Sequence, residues 1–279
     1  MSFAAIPHLL SSELVHHITT NQENLNLQTL FGSSKYSSRI NKKVIIASGV
    51  TIGATSTANY AINIPTGFGG RIILVNEGSI LGAGGAANSG TGGNCINAGA
   101  SNIYIDNRGT ISSGGGGGGR GGTGGQGSFT TTYDCSYPSI CTCPVCCGKP
   151  CTNSPPCSGG YVSGSGCAEG GFRWICPRTC STTNYTSGGA GGNGGRGQGY
   201  DADAASGSGG ATGGTNAGTG GTGGTGGSYG SSGNNGNAGA NGNYTNGSAG
   251  SSGGLAGFYI VNNGNVNWVA NGTRNGRIG

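Results

Sequence analysis

Cysteine is the residue type with the clearest chemical potential in this sequence. Ten of the eleven cysteines lie within one short segment: Cys135, Cys141, Cys143, Cys146, Cys147, Cys151, Cys157, Cys167, Cys176 and Cys180. Such a density is typical of small domains that need disulfides because their apolar core is too small. Ten cysteines permit five bridges, but spacing alone does not give the pairing. Cys95 lies apart, either as a free thiol or as a partner for this segment.

Zinc binding is the alternative chemistry for these cysteines. Cys143-x2-Cys146 and Cys176-x3-Cys180 have spacings that occur between zinc ligands. The segment contains no histidine, however, and its spacings do not form two clean pairs. An adjacent pair such as Cys146-Cys147 is more usual in disulfide frameworks. We therefore predict a disulfide-rich insert and no metal site, with zinc kept as the alternative.

Catalytic constellations are weak in this chain. The three histidines, His8, His16 and His17, all lie near the start and cannot be matched to a Ser-His-Asp triad. Asp201 and Asp203 could form a glycosidase carboxylate pair, but a polar turn explains them better. The glycine runs are not followed by the Gly-Lys-Ser/Thr of a phosphate loop. We predict no enzyme activity and no cofactor.

Glycine content and spacing are the main clues to the structure that carries these residues. It supplies 67 of the 279 residues, whereas charged residues supply only 8%, so a large apolar core is not available. The glycines recur with a period of three in four series: Gly115, Gly118, Gly121, Gly124 and Gly127; Gly188, Gly191, Gly194 and Gly197; Gly218, Gly221, Gly224, Gly227, Gly230, Gly233, Gly236, Gly239 and Gly242; and Gly247, Gly250 and Gly253.

This period predicts a bundle of polyglycine-II helices. Three residues per turn is the repeat of the polyproline-II conformation, which collagen shares. No proline follows Pro177, which excludes a collagen-like helix. A glycine edge allows neighbouring helices to approach closely enough for backbone hydrogen bonds. A disordered Gly-Ser-Thr tail is the alternative.

Strand-like segments surround the glycine runs. Residues 1–43 read as a helical attachment region, with Ser11 or Ser12 as the cap and Leu14, Val15 and Ile18 at helical spacing. A strand followed by Asn-x-Gly occurs three times, in residues 73–80, 104–111 and 259–266. We expect the three copies to pair in one small β platform. The predicted domains are 1–43, 44–128 (platform and first glycine helices), 129–187 (cysteine-rich insert) and 188–279 (bundle and closing strand).

Aromatic residues mark the expected binding surface. The insert follows one glycine run and precedes another, so it should lie at the end of the bundle far from the platform. Tyrosine and tryptophan are efficient binding anchors. The predicted receptor-binding residues are Tyr137, Tyr161, Phe172, Arg173, Trp174, Tyr200, Tyr229 and Tyr244.

Charge and hydropathy restrict the partners. The net charge is +5, but the basic residues are scattered and Lys42-Lys43 is the only adjacent pair, so we predict no nucleic-acid partner. No apolar run approaches the roughly 20 residues of a membrane span, so we predict no membrane insertion. The start of the chain lacks the basic and apolar regions of a signal peptide. Many cysteines normally indicate an oxidising compartment, which conflicts with the absence of a signal peptide. A virion protein resolves this conflict, because it is made in the cytosol and acts outside the cell after lysis.

The order strand, Asn-x-Gly, polyglycine resembles the tail-fibre tip adhesins of T-even-type bacteriophages. The similar motifs are residues 94–97, residues 102–109 leading into 114–119, residues 194–200, and Trp268-Val269. The resemblance implies an N-terminal attachment region that binds a phage tail or fibre protein. It also implies a glycine-helix shaft whose end loops bind a protein or glycan receptor on the bacterial surface. The expected location is therefore the tip of a tail fibre on the virion.

Other functions remain open from the sequence. Thr219, Thr222 and Thr225 repeat at three-residue spacing, which would suit an ice-binding protein of the polyglycine-II type. A structural virion cap and a fibre-assembly chaperone are further alternatives. The predicted fold class is mainly irregular and β, with a short N-terminal helical region, a small β platform, and a polyglycine-II bundle that carries the disulfide-rich insert.

Overall fold

The computed structural model describes residues 13–134, 137–141, 172–176 and 179–279. The described chain is mostly β, which confirms the predicted fold class at that level. Its α-helices are α1 (Leu27–Phe31) and α2 (Ser33–Ser37), and its strands are β1 (Glu13–Ile18), β2 (Gln22–Glu23), β3 (Leu25–Asn26), β4 (Asn41–Ile46), β5 (Thr51–Gly53), β6 (Ile62–Ile64), β7 (Ile72–Asn76), β8 (Ser79–Leu81), β9 (Ile96–Ala98), β10 (Ile103–Asn107), β11 (Thr110–Ser112), β12 (Gly127–Asp134), β13 (Tyr137–Cys141), β14 (Phe172–Cys176), β15 (Thr179–Thr186), β16 (Phe258–Val261), β17 (Val266–Ala270), β18 (Thr273–Asn275) and β19 (Arg277–Ile278).

Fifteen of these strands form a three-sided parallel β-helix. Its sheets have the orders β1-β4-β7-β10-β17, β2-β5-β8-β11-β18 and β3-β6-β9-β16-β19. Because each sheet takes one strand from each turn of the chain, the strands make five coils. Residues 113–257 lie between β11 and β16, so nearly all of the glycine-rich sequence is an insertion within the fourth coil.

Inward-facing isoleucines form the core of this β-helix. Ile52, Ile80 and Ile111 are aligned in the second sheet, and all three are fully buried. Ile62 and Ile96 are aligned in the third sheet in the same way. Full burial of each such side chain stabilises the fold by about 1.5–3 kcal/mol. These strand segments therefore hold the apolar core of the described chain.

The strand repeat is explained by this winding for two of its three copies. Ile73 in β7 is aligned with Tyr104 in β10, so the first two copies pair as neighbouring parallel strands. The asparagines of their Asn-x-Gly motifs are buried, and Asn76 Nδ2 donates to Asn107 Oδ1 at 2.8 Å. The prediction for the third copy is wrong. Its strand β16 pairs with β9 in another sheet, because the insertion returns the chain on a different side of the coil.

The predicted helix, which begins at Ser11 or Ser12 and ends at Gly32, is also wrong for its described part up to Asn26, where three strands occur. Glu13–Ile18 is strand β1, which pairs in parallel with β4. Leu14, His16 and Ile18 point inward, and this period of two overrides the apparent helical spacing. Short helices occur later, where the Asn26 side chain caps α1 by accepting from Gln28 N and Thr29 N. The boundary drawn after residue 43 falls inside β4, so residues 13–40 form the first coil of the same β-helix.

The glycine-rich residues form extended segments joined by backbone hydrogen bonds at every third residue. Segments 113–127 and 187–199 run antiparallel, and Gly118 N donates to Gly195 O at 2.7 Å. The next bonds of this ladder are Gly121 N to Gly192 O and Gly124 N to Gly189 O. The period-three pattern in the sequence therefore corresponds to ordered pairing, and the disordered alternative is wrong for these residues.

Segment 113–127 is the centre of the glycine-rich region. It exchanges hydrogen bonds with both strands of the hairpin 82–93 and with four further segments: 187–199, 217–228, 231–242 and 245–257. The hairpin reaches only as far as Gly117 and Gly118, whereas the four segments continue to the end of the central one. The central segment is therefore enclosed on all sides near the β-helix and open on one side farther out.

Glycine is required at the enclosed edges because a side chain would strike a neighbouring backbone. A Cβ atom at Gly121 would lie 2.0 Å from Gly221 O, and one at Gly122 would lie 1.9 Å from Ser248 O. The central segment carries side chains at Arg120, Thr123 and Gln126, on the edge that the hairpin leaves open. Residues with side chains therefore occur in this segment where a neighbouring segment is missing, and glycines occur where one is present.

Residues 128–185 form a separate compact unit. In its described part, β12 pairs with β15 and β13 pairs antiparallel with β14. The Asn184 side chain donates to Thr131 Oγ1 at 2.9 Å. The insert thus begins and ends with strands that continue from segments 113–127 and 187–199.

We predict that Gly121→Ala destabilises the protein by at least about 1–3 kcal/mol, because the added methyl group overpacks the backbone contact with Gly221. Gly209→Ala is the matched control, since no atom lies within 4 Å of the added Cβ. Thermal unfolding followed by circular dichroism measures both variants. Equal unfolding temperatures for the two would contradict the close packing of the central segment.

Candidate functional site

The glycine-rich segments have one end at the β-helix and one outer end. Tyr200 N donates to Gly82 O and Gly230 N donates to Ser113 O, so the turns near these residues lie beside the β-helix. The segments reverse at the opposite end in residues 212–217 and 242–246. We call residues 126–127, 186–187, 212–217 and 241–246 the outer end.

Hydrogen bonds hold the chains of the outer end together. The Gln126 carbonyl accepts from the N–H groups of Tyr244 and Thr245, both at 3.2 Å. In return, Gln126 N donates to Thr245 Oγ1 at 2.7 Å. Asn243 N donates to Asn216 O, which connects the two reversing loops. The loops are thereby fixed to the central segment instead of extending freely from it.

The surface of the outer end is aromatic and polar but uncharged. Tyr244 is 54% exposed, and Asn216, Asn243 and Asn246 are exposed beside it in the same loops. No lysine, arginine, aspartate or glutamate occurs within the outer end. Tyrosine with amide and hydroxyl neighbours is typical of binding surfaces that recognise partners through stacking and hydrogen bonds.

Tyr200 and Tyr229 lie at the opposite end from Tyr244. The Tyr200 ring occupies the space beside Gly53, where a Cβ would come within 2.1 Å of the ring. Its hydroxyl group donates to Glu23 Oε1 at 3.2 Å, and burial together with this carboxylate raises the pKa of Tyr200. Tyr229 is half-buried, and its N–H donates to Gln198 Oε1. These two of the predicted receptor-binding residues therefore contact the base of the bundle.

The remaining predicted receptor-binding residues belong to the insert. Tyr137 lies in β13 and is aligned with Cys176, while Phe172, Arg173 and Trp174 lie in β14. Their side chains, and Tyr161 as a whole, lie outside the described residues. The predicted disulfides stay a prediction, because most of the insert cysteines also lie outside the described residues.

Cys95 is a free thiol, as one of the two sequence interpretations proposed. It is fully buried in the β-helix core, and its Sγ donates weakly to Ile80 O at 3.6 Å. Burial raises the pKa of the thiol well above its ordinary value. Cys95 is therefore a core residue and has no role at the surface.

Asp201, the first of the two acidic residues considered for catalysis, is held by contacts within the fold. Asp201 Oδ1 accepts from Gly84 N at 2.9 Å, and Asp201 Oδ2 is paired with Arg196. Burial disfavours ionisation of this carboxyl group, but these two contacts outweigh burial and lower the pKa of Asp201. A carboxylate held in this way fixes the turn at the base of the bundle, while Asp203 is exposed.

The threonine ladder is already bonded to a neighbouring segment. Thr222 Oγ1 accepts from Asn237 Nδ2 at 2.7 Å, and Thr225 Oγ1 accepts from Asn234 Nδ2 at 2.6 Å. These hydroxyl groups brace segment 217–228 against segment 231–242. Two of the three hydroxyl groups of the ladder are therefore engaged within the fold.

A second period-three row of hydroxyl residues was not recognised in the sequence. Thr245, Ser248 and Ser251 accept from the backbone N–H groups of the central segment on its open edge. The bonds are Thr123 N to Ser248 Oγ at 2.8 Å and Arg120 N to Ser251 Oγ at 2.7 Å. These side chains replace the backbone partner that the short hairpin does not supply. The three-residue spacing of Thr245, Ser248 and Ser251 in the sequence could have indicated this row.

Within the part of the chain that the structure describes, no group of three His, Cys, Asp or Glu side chains could hold a metal ion. In that same part, no helix is long and apolar enough to cross a membrane.

Comparison with known proteins gives a family match for part of the chain. The model of a family described as phage tail fibre adhesin Gp38 matches residues 13–140, which include the first eleven strands of the β-helix. This match confirms the resemblance that the glycine and strand motifs indicated. It also confirms the predicted location on the tail fibre of a phage virion.

Among solved structures, the chain is similar to the crystal structure of the gp37-gp38 adhesin tip complex of the bacteriophage S16 long tail fiber. The TM-score is 0.43 at 17% sequence identity, over 95% of this chain and 82% of that chain. No curated protein matches the sequence.

We predict that Tyr200→Ala destabilises the protein by about 1–3 kcal/mol, because it removes the ring that packs on Gly53. Tyr200→Phe keeps this packing and loses only an exposed hydrogen bond to Glu23, so we expect a change below about 1 kcal/mol. Urea unfolding curves measure the two values. Similar losses for both variants would show that the ring packing is not the main contribution.

We predict that iodoacetamide does not modify Cys95 in the native protein, because the buried thiol stays protonated at pH 8. Peptide mass spectrometry after native and denaturing treatment measures the modification. The peptide that contains Cys95 should be labelled only after unfolding in urea. Native labelling would contradict its place in the core.

Proposed function

We propose that this chain is the receptor-binding protein at the tip of a phage tail fibre, and that its outer end contacts the host surface. The observation that carries the proposal is the exposed Tyr244 with its asparagine neighbours, fixed by hydrogen bonds to the central segment. A binding surface that is ordered before contact loses less conformational entropy on binding. The family match supports the same function independently.

The extended segments act in this proposal as polyglycine-II helices. Hydrogen bonds with a period of three residues, such as those from Gly118, Gly121 and Gly124, support this assignment. So do the glycines at each contact edge, where a Cβ atom would meet a carbonyl oxygen at about 2 Å. The helices form a rigid shaft that keeps the outer end at a fixed distance from the β-helix.

The cysteine-rich insert is a second part of the chain to which we assign receptor binding. It begins after Gly127 and ends before Thr186, two residues that belong to the outer end. We assign its cysteines to disulfides and its aromatic side chains to receptor contact, as the sequence pattern favours. Disulfides would keep such a small unit ordered.

The first coil of the β-helix is the proposed attachment site for a fibre protein. In the described part of the chain, β1, β2 and β3 pair only on the side of the second coil. Each therefore has an edge that can accept a further strand, and strand addition is a common mode of protein association. The family match begins at Glu13, the first residue of β1.

We also propose that the chain acts by binding and not by catalysis. The possible general acid Asp201 is ionised and bonded to Gly84 and Arg196. Asp106 is paired with Arg108. The histidine His16 packs its ring against Phe31. Each of these contacts stabilises the folded chain.

The test is binding of the labelled protein to a panel of intact bacterial strains that includes the phage host. Tyr244→Ala should weaken binding to the host at least about tenfold, in the range of an interface anchor. Tyr60→Ala is the control, because Tyr60 lies in a loop of the β-helix away from the outer end. A third variant has residues 130–184 replaced by a short Gly-Ser linker.

Strain-selective binding that Tyr244→Ala reduces and Tyr60→Ala leaves unchanged is the expected result. Loss of binding in the linker variant would add the insert to the site. The proposal is overturned if the wild-type protein does not bind the host, or if the two tyrosine variants bind equally well.

A further inference from the structure

The hairpin 82–93 occupies a track of regularly spaced hydrogen-bonding positions between two glycine segments. At one position, Gly85 N donates to Gly115 O and Gly85 O accepts from Gly197 N, both at 2.8 Å. One turn earlier, Gly82 makes the equivalent pair of bonds with Ser112 O and Tyr200 N. Each position thus offers one acceptor from segment 113–127 and one donor from the chain around residues 187–200.

The third position is filled where the hairpin turns back. Ser89 N donates to Gly118 O at 2.9 Å, and Gly194 N donates to Asn88 Oδ1 at 2.9 Å. Asn88 and Ser89 both have positive φ angles, of 60° and 75°. The hairpin therefore ends here, with a side-chain amide completing the last pair of bonds.

Two further positions of the track are vacant. The next acceptor and donor are Gly121 C=O and Gly191 N–H, followed by Gly124 C=O and Gly188 N–H. None of these four groups has a hydrogen-bonding partner anywhere in the described ranges of the chain. Gly121 and Gly191 are nevertheless buried. Unpaired polar backbone groups at buried residues are uncommon and cost free energy.

These vacant positions lie in what we call the trough. It is bounded below by the open edge of segment 113–127 at residues 120–126, and on its two sides by residues 187–194 and 245–252. Its length from Arg120 to Gln126 is about 19 Å for a rise of roughly 3.1 Å per residue. The tip of the hairpin 82–93 closes its inner end, and Tyr244 lies at its outer end.

Another glycine chain cannot continue the track. A Cβ atom at Gly117 would lie only 1.8 Å from Ala86 O of the hairpin. Arg120 and Thr123 lie on the same edge, one and two turns farther out, and their Cβ atoms would strike a continuing backbone in the same way. A ligand of the trough must therefore reach the vacant groups without packing a peptide backbone against this edge.

We propose that the trough binds an acidic sugar chain, an inference that rests on the proposed receptor-binding function and names its ligand class. Each vacant position presents one acceptor and one donor, and a hydroxyl group can satisfy both at once. The two positions are one turn apart, about 9 Å, so the hydroxyl groups of a linear sugar chain can occupy both.

The unpaired charge of Arg120 is the reason that we assign an acidic sugar chain to the trough. Its side chain is exposed and forms no ion pair within the described ranges. Residues 113–127, 187–200 and 245–257 contain no aspartate or glutamate, so this charge is uncompensated in the trough. A carboxylate or phosphate on the sugar chain supplies the missing partner, and charge-assisted hydrogen bonds to arginine are strong ones.

The test is a titration of the full-length protein with oligogalacturonate, a carboxylated sugar chain, and with neutral dextran of similar length. Arg120→Gln should weaken oligogalacturonate binding about tenfold or more. Arg39→Gln removes the same charge from an exposed residue outside the trough and should leave binding unchanged. Thr123→Lys adds a charge to the floor of the trough and should strengthen binding.

Nuclear magnetic resonance of the 15N-labelled protein locates the contact. The amide signals of Gly188 and Gly191 should shift on addition of oligogalacturonate. The amide of Gly189 is the internal control, because it already donates to Gly218 O. The trough proposal is overturned if oligogalacturonate does not bind, if the two arginine variants lose affinity equally, or if these signals do not move.

Binding to host cells, measured in parallel, separates this proposal from the receptor-binding function. Host binding by the wild-type protein without any binding of oligogalacturonate overturns the trough ligand alone. Absence of host binding overturns the receptor-binding function, and Arg120-dependent binding of oligogalacturonate in that case would still support a sugar-binding trough.

Discussion

Close approach between backbones is the constraint on which the glycine-rich half of this molecule depends. Ordering a residue costs about 1–2 kcal/mol, and a backbone hydrogen bond returns only about 0.5–1.5 kcal/mol. The segments therefore stand only if almost every enclosed polar group is paired, which requires chains closer together than a Cβ atom permits. Where a neighbour is missing, hydroxyl groups such as those of Ser248 and Ser251 supply part of the pairing.

The β-helix is stabilised by apolar side chains instead of by close contacts between backbones. It stacks aligned isoleucines, such as Ile80 and Ile111, and has glycine at corners such as Gly78 and Gly109. Both parts are continuous, because the central segment leaves β11 and the last segment enters β16 within the same coil. The apolar stack thus holds the ends of a bundle that has almost no apolar core of its own.

Much of this organisation could be predicted from the sequence, and the failures have physical reasons. The period of three predicted the regular pairing of the glycine segments, and the Asn-x-Gly repeat predicted the pairing of β7 with β10. The repeat could not reveal that 145 residues are inserted between β11 and β16, so the third copy was placed in the wrong sheet. The first strand was missed because a few apolar residues fit two periods. Tyr200 and Tyr244 cannot be distinguished by residue type, since only the hydrogen-bond register shows which end of the bundle each occupies.

The shared three-residue register has a consequence for how such a shaft can change in length. Segment 113–127 is bonded in turn to segments 187–199, 231–242 and 245–257, and each ladder repeats only after a full turn. A single inserted residue would rotate an edge out of contact and place a side chain where glycine is required. The shaft can therefore lengthen only in whole turns of three residues, about 9 Å, made together in adjoining segments. Its loops can vary in length by single residues, whereas the length of the shaft can change only in steps of three.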